Sequence, residues 1–200
     1  MANSRRYNQL QSRIIFLENN ILPDVKINGN YTKKESDLIR SYVLLVHAEI
    51  ESYFEDIAKL KIQKALQDWR SDRKKSNCLL AVMSFCSEEI NWERISKEEK
   101  SKFDFRVNKT VRHFIDKLDS NHGIKSKNIC NILLPIGIEI SQLDDVWLGT
   151  MDSFGSKRGL FAHSAIQTQS QIDLVVEKNN ININILPEIE IIDGLIKNIK

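Results

Sequence analysis

The sequence predicts a mainly α-helical bundle, and three features carry that expectation. Apolar residues recur at three- and four-residue spacing over most of the chain, helix-capping residues stand where those runs begin, and glycine and proline fall outside the longest run.

Tyr7, Leu10, Ile14, Leu17 and Ile21 mark an amphipathic first helix over about residues 4 to 20, ended by Pro23 and Gly29. Thr32 with Glu35 three residues on is a capping box: hydroxyl and carboxylate each take a backbone N–H at a helix start. A long helix should follow, because Leu38, Tyr42, Leu45, Val46, Ile50, Tyr53, Ile57 and Leu60 keep the 3.6-residue period to about Trp69. Shorter helices are expected from Asn77 to Cys86, from about Asn108 to Leu118, and from Ser126 until Pro135 and Gly137 stop it. Ser141 with Asp144 should open another, carrying Leu143, Val146, Trp147, Met151 and Phe154, with Gly155 and Gly159 interrupting its stripe. Beyond Gln171 the pattern shifts. Leu174, Val176, Ile181, Ile183 and Ile185 alternate with polar residues across Asn179 and Asn180, which predicts a small C-terminal β-hairpin, and Pro187 should start a short closing helix.

A chain of 200 residues can bury one sizeable core, so a single domain over residues 1–200 is expected, with its core at about 32–170 and a C-terminal extension over 171–200. Hydrophobic content of 42% and charged content of 28% exclude wholesale disorder and a fibrous fold. Lys and Arg total 29 against 27 for Asp and Glu, a net charge of +2, so any nucleic-acid site must be local rather than a basic coat. The run Arg70, Arg73, Lys74, Lys75 reads as a solvated helix end.

Cys78, Cys86 and Cys130 sit in apolar surroundings and read as reduced core thiols, and their spacing to the four histidines forms no zinc pattern. No metal and no cofactor is expected. The N-terminus lacks the apolar stretch of a signal peptide, and no window approaches the ~18 apolar residues that span a bilayer. A cytoplasmic protein with no membrane partner is the expectation.

Only imidazole titrates near neutrality unaided, so the histidines are the first candidates for chemistry. His47, in the run Val43-Leu44-Leu45-Val46, and His113, before Phe114-Ile115, look structural; His122 precedes Gly123 in a turn. His163 differs, since Lys157-Arg158-Gly159-Leu160-Phe161-Ala162-His163-Ser164 gathers two cations, a glycine and an imidazole. Spacing alone is a weak signal: Arg40 to His47 and Arg106 to His113 fit the same loose pattern.

The Arg158 to His163 segment resembles the Arg-x4–6-His signature of the HEPN superfamily. The likeness extends to the helix reading Val46-His47-Ala48-Glu49-Ile50-Glu51-Ser52-Tyr53-Phe54-Glu55. It also takes in Asn131-Ile132-Leu133-Leu134-Pro135-Ile136-Gly137-Ile138, which is similar to the segment before the catalytic helix in the branch associated with L-PSP-type ribonucleases. The resemblance implies a metal-independent endoribonuclease acting as a homodimer, with Arg158 and His163 catalytic. It implies Lys157, Gly159 and Ser164 as substrate contacts, with Glu51 and His47 in support. A toxin or anti-phage role, with RNA as substrate and a neutralising antitoxin as partner, is implied in the same way. Gly159 departs from the pattern, in which a polar residue usually follows the arginine; the alternative is a catalytically inactive HEPN-like module that binds RNA or protein.

Overall fold

The computed structural model describes residues 2–163 and 172–200. The described residues form α1 (Arg5–Ile21), α2 (Lys33–Asp72), α3 (Asn77–Cys86), α4 (Lys97–Ser101), α5 (Phe103–Ser120), α6 (Ser126–Leu133), α7 (Asp145–His163), α8 (Leu174–Asn179) and α9 (Leu186–Asn198), and among them there is no strand. Two compact units account for them. The first comprises Met1–Tyr53, Gly123–Lys127 and Leu143–Gly194, and the second Phe54–His122, Asn128–Gln142 and Leu195–Lys200.

In the first unit, Tyr7, Leu10, Ile14 and Leu17 of α1 are buried, and so are Ile39, Tyr42, Val46, Ile50 and Tyr53 of α2. Ser4 caps α1 by accepting the Tyr7 N–H at 3.0 Å. The Thr32 and Glu35 capping box forms as the spacing predicts, with the Thr32 N–H donating to Glu35 Oε2 at 2.7 Å and the Glu35 N–H donating to Thr32 Oγ1 at 3.3 Å. Lys26 also reaches Glu35 at 2.6 Å, and these donors hold its carboxyl down to about 2.

The expected hairpin is absent. Leu174–Asn179 is helical, residues 180–185 form a π-helical turn, and α9 follows without a break. Asp173 starts the run by accepting the Val175 and Val176 N–H groups at 2.8 and 3.1 Å. The apolar alternation misled because a four-residue spacing satisfies a period of two as well as a helix. Ile181, Ile185 and Ile189 are buried at that spacing, whereas Ile183, which a strand would bury with them, is 65% exposed. Pro187 therefore lies inside a continuous helical run, directly after the wide π-helical turn.

This C-terminal segment belongs to the core of its unit. The fully buried Asp193 of α9 accepts the Ser4 N–H at 2.7 Å, the Ser4 hydroxyl at 2.5 Å and the Tyr53 hydroxyl at 2.9 Å. A buried carboxylate is tolerated only when its oxygens are satisfied in this way.

The second unit is built on the remainder of α2 with α3, α5 and α6. Ile57, Ile62, Trp69, Val82, Val107, Val111 and Phe114 are buried there. α5 begins five residues ahead of the expected Asn108, at Phe103, whose ring packs edge-on against Trp69 at 5.5 Å. The basic run at the end of α2 is partly committed: Arg73 grips Asp104 with both terminal guanidinium nitrogens, and Arg70 donates to Asn108. Gly137, with φ of +99°, turns the chain after α6 in a conformation that a side chain would strain. Cys78 and Cys86 are buried, and burial pushes their thiols up to about 12 and about 11, well away from reactivity. No helix among the described residues is long and apolar enough to cross a membrane.

Candidate active site

α7 opens on Asp144 rather than Ser141: the Asp144 carboxylate accepts the Trp147 N–H at 2.6 Å, while Ser141 lies in a preceding 3₁₀ turn. The helix then runs unbroken from Asp145 to His163, so Gly155 and Gly159 do not interrupt it. Gly155 serves close approach instead. A Cβ there would meet Lys125 Cγ at 2.9 Å and the Lys125 backbone N at 3.5 Å. At Gly159 a Cβ would meet no described neighbour within 4 Å.

Each residue of an ideal helix turns about 100°, so positions 147, 151, 154 and 158 share a sector about 60° wide. Trp147, Met151 and Phe154 of that sector are buried. Arg158 extends their face by one turn, emerges exposed, and makes no hydrogen bond or ion pair with a described residue. Position 163 lies about 140° round from position 158, and positions 155 and 159 occupy the sector between them. The sector at Gly159, clear of described neighbours, is therefore flanked by the two candidate catalytic positions. His163 enters as the residue that ends α7, and Ser164 lies outside the described residues.

Lys157, the other expected phosphate contact, is half-buried and reaches Glu177 Oε1 of α8 at 2.6 Å. Glu177 is 6% exposed, and its second oxygen has no hydrogen-bond partner among the described residues.

The two residues expected in support, His47 and Glu51, lie on α2, with His47 against Phe154 of the face that Arg158 extends. His47 of α2 is 2% exposed, and its ring stacks on Phe154 of α7 with centroids 6.2 Å apart and planes 28° from parallel. Its Nδ1 stands 3.6 Å from Glu51 Oε2, beyond hydrogen-bond length, and has no other partner among the described residues. Glu51 is fixed from its other side, because Oε1 accepts the N–H of Gly123 in a short hydrogen bond. Burial lowers the His47 pKa to about 4; the Glu51 charge opposes the shift and the Arg158 charge adds to it. The ring is neutral at cellular pH, and Arg158 is close enough for its charge to be felt there.

The structure also separates the three arginine–histidine pairs that spacing leaves equivalent. Arg40 is mostly buried and pairs with Asp37 at 3.1 Å. Arg106 donates to the Lys100 carbonyl, while His113 pairs with Glu89 at 2.9 Å. Arg158 alone of the three arginines is exposed and uncommitted to any described residue. Two features of the site are not evident from the sequence pattern. Phe154 stands in an apolar stripe with nothing to mark its contact with His47, and Glu177 falls within the expected hairpin; on a helix, its spacing between Leu174 and Ile181 brings it to the buried face. Among the described residues, no three His, Cys, Asp or Glu side chains gather where they could hold a metal ion.

The family model described as RiboL-PSP-HEPN matches residues 5–198, nearly the whole chain. No curated protein and no solved structure matches it.

Proposed function

Because the chain belongs to the RiboL-PSP-HEPN family, we propose that it is a metal-independent endoribonuclease whose catalytic site forms when two copies bring their α7 helices together. The observation that carries this reading is the exposed guanidinium of Arg158, uncommitted to any described residue, five places before His163 on one unbroken helix, with no described neighbour over Gly159 between them.

The two residue types suit cleavage by the substrate's own 2′-hydroxyl. That oxygen attacks the adjacent phosphorus, the P–O5′ bond breaks, and the products are a 2′,3′-cyclic phosphate and a 5′-hydroxyl. An imidazole with an ordinary pKa of ~6.5 exchanges protons at cellular pH and is the general acid or base. A guanidinium presents parallel N–H donors to the non-bridging oxygens, where charge grows in the transition state. Lysine lacks that fork.

The two positions are about 140° apart on one ideal helix, so one copy alone does not place them on a common face. Two copies resolve this, Arg158 from one facing His163 from the other across the Gly159 sector. His47, stacked on Phe154 and within reach of the Arg158 charge, and Glu51, tied to Gly123, support the site from α2 in this reading. Uncontrolled cleavage of cellular RNA arrests growth, so such an enzyme suits a toxin or anti-phage effector restrained by a neutralising protein.

The test is incubation of the protein with total RNA, with and without chelator. Chelator-resistant cleavage that leaves cyclic phosphate ends and disappears in His163→Ala supports the enzyme. Binding without cleavage supports the catalytically inactive module that Gly159 suggests.

A further inference from the structure

The second unit carries a basic, apolar-floored groove that lies outside the site described above. Two adjoining cavities make it up. The smaller, about 350 Å³, lies between the 89–95 segment and α5, and the larger, about 520 Å³, lies between α2 and α5. Lys109, Arg112 and Asp116 line both.

Arg94, Lys109 and Arg112 are exposed, and none of them has a hydrogen bond or ion pair with a described residue. Neighbouring cations behave differently: Lys117 is bound to Glu89, and Arg70 on the rim to Asn108. The chain's net charge is only +2, so three unneutralised cations around one groove are a local concentration of positive potential. The floor of the larger cavity is apolar, with the partly exposed Leu66, Phe105 and Ile115.

Cations that can hold successive phosphates beside an aromatic and aliphatic floor match the alternation of an unpaired nucleic-acid strand, whose bases are free to leave water. A duplex offers its phosphates but keeps its bases stacked inside. We propose that this groove binds single-stranded RNA, holding the substrate strand on the second unit; the choice of RNA rests on the ribonuclease reading. Asp116 opposes the strand and sets an upper limit on its affinity.

The probe is a fluorescein-labelled 2′-O-methyl oligoribonucleotide, read by anisotropy. Its blocked 2′-oxygen cannot attack, so binding is measured whether or not the protein cleaves RNA. Single-strand binding loses about 0.7 of a log–log salt slope per phosphate contact released, so Lys109→Gln/Arg112→Gln should flatten the slope by about 1.4 and weaken binding about 25-fold at 0.1 M salt. Asp116→Asn should tighten binding, and Lys34→Gln, at an exposed lysine of α2, should leave it unchanged. Circular dichroism of each variant shows that it is folded. Undiminished binding by the double variant overturns the proposal, and so does absence of binding by the parent, even where ordinary RNA is cleaved. A duplex or a mononucleotide bound as tightly as the strand also overturns it. Strand binding lost only in the groove variants supports it even in a protein that cleaves nothing.

Discussion

His47 gives the folded chain a pH dependence whose sign and size follow from its surroundings. Its pKa falls from about 6.5 in the unfolded chain to about 4 in the fold, because burial excludes the water that would solvate the imidazolium. Below pH ~6.5 the unfolded state binds a proton that the folded state refuses, so unfolding becomes easier as the pH drops. The stability tied to this residue is whole above about pH 6.5, is lost as the pH falls from there to about 4, and is constant below that. A shift of this size at about 1.4 kcal/mol per unit amounts to about 3 kcal/mol, most of it gone by pH 4.5. The assay is urea unfolding followed by tryptophan fluorescence at pH 7.5 and 4.5, in the parent and in His47→Gln. Carboxylates that titrate in the same range affect both proteins, so the difference between them isolates the imidazole. The parent should lose about 2.5 kcal/mol more than the variant over that interval. Equal losses would refute the buried, neutral ring beneath Arg158. Arg158→Ala removes a cation that helps keep the ring neutral, and should move the transition to higher pH.

Two alanine substitutions on α7 should differ in effect. Gly159→Ala meets no described neighbour and should stabilise the helix by about 0.5–1 kcal/mol, whereas Gly155→Ala brings its methyl group against Lys125 and should raise the melting temperature less or lower it. Thermal unfolding of the two side by side decides this, and equal stabilisation would contradict the close approach at Gly155. Asp193→Ala leaves the Tyr53 hydroxyl and both Ser4 donors without their acceptor, and should cost about 3 kcal/mol in urea unfolding; a loss under about 1 kcal/mol would show that water or another group takes its place.

The helices with strong caps and long apolar periods were legible in the sequence. Thr32 and Glu35 announce α2, and Tyr7 to Leu17 announce α1, because those signals lie within one turn of the residues they govern. Residues 174–185 were not legible, since a four-residue apolar spacing serves strand and helix alike and only the exposure of Ile183 separates them. The candidate site divides along the same line. The segment from Lys157 to His163 is contiguous and could be read directly. By contrast, the commitment of Arg40, Arg106 and His113 to other partners depends on contacts made by the folded chain. The same holds for Glu177 against Lys157 and for Phe154 over His47, both of which join residues distant in sequence. Gly155 and Gly159 read identically as letters, and only the fold distinguishes them: Gly155 packs against Lys125, whereas Gly159 has no described neighbour in the place of a Cβ.

Pairing of Arg158 from one copy with His163 from the other is tested most directly by differently tagged Arg158→Ala and His163→Ala chains, each purified alone and then together as a mixed dimer after co-expression. Each variant alone should be inactive on RNA. The mixed dimer retains one intact arginine–histidine pair across its two chains and should regain cleavage, at about half the parent rate by the count of pairs. A mixed dimer as inactive as either variant alone would contradict a site shared between two copies.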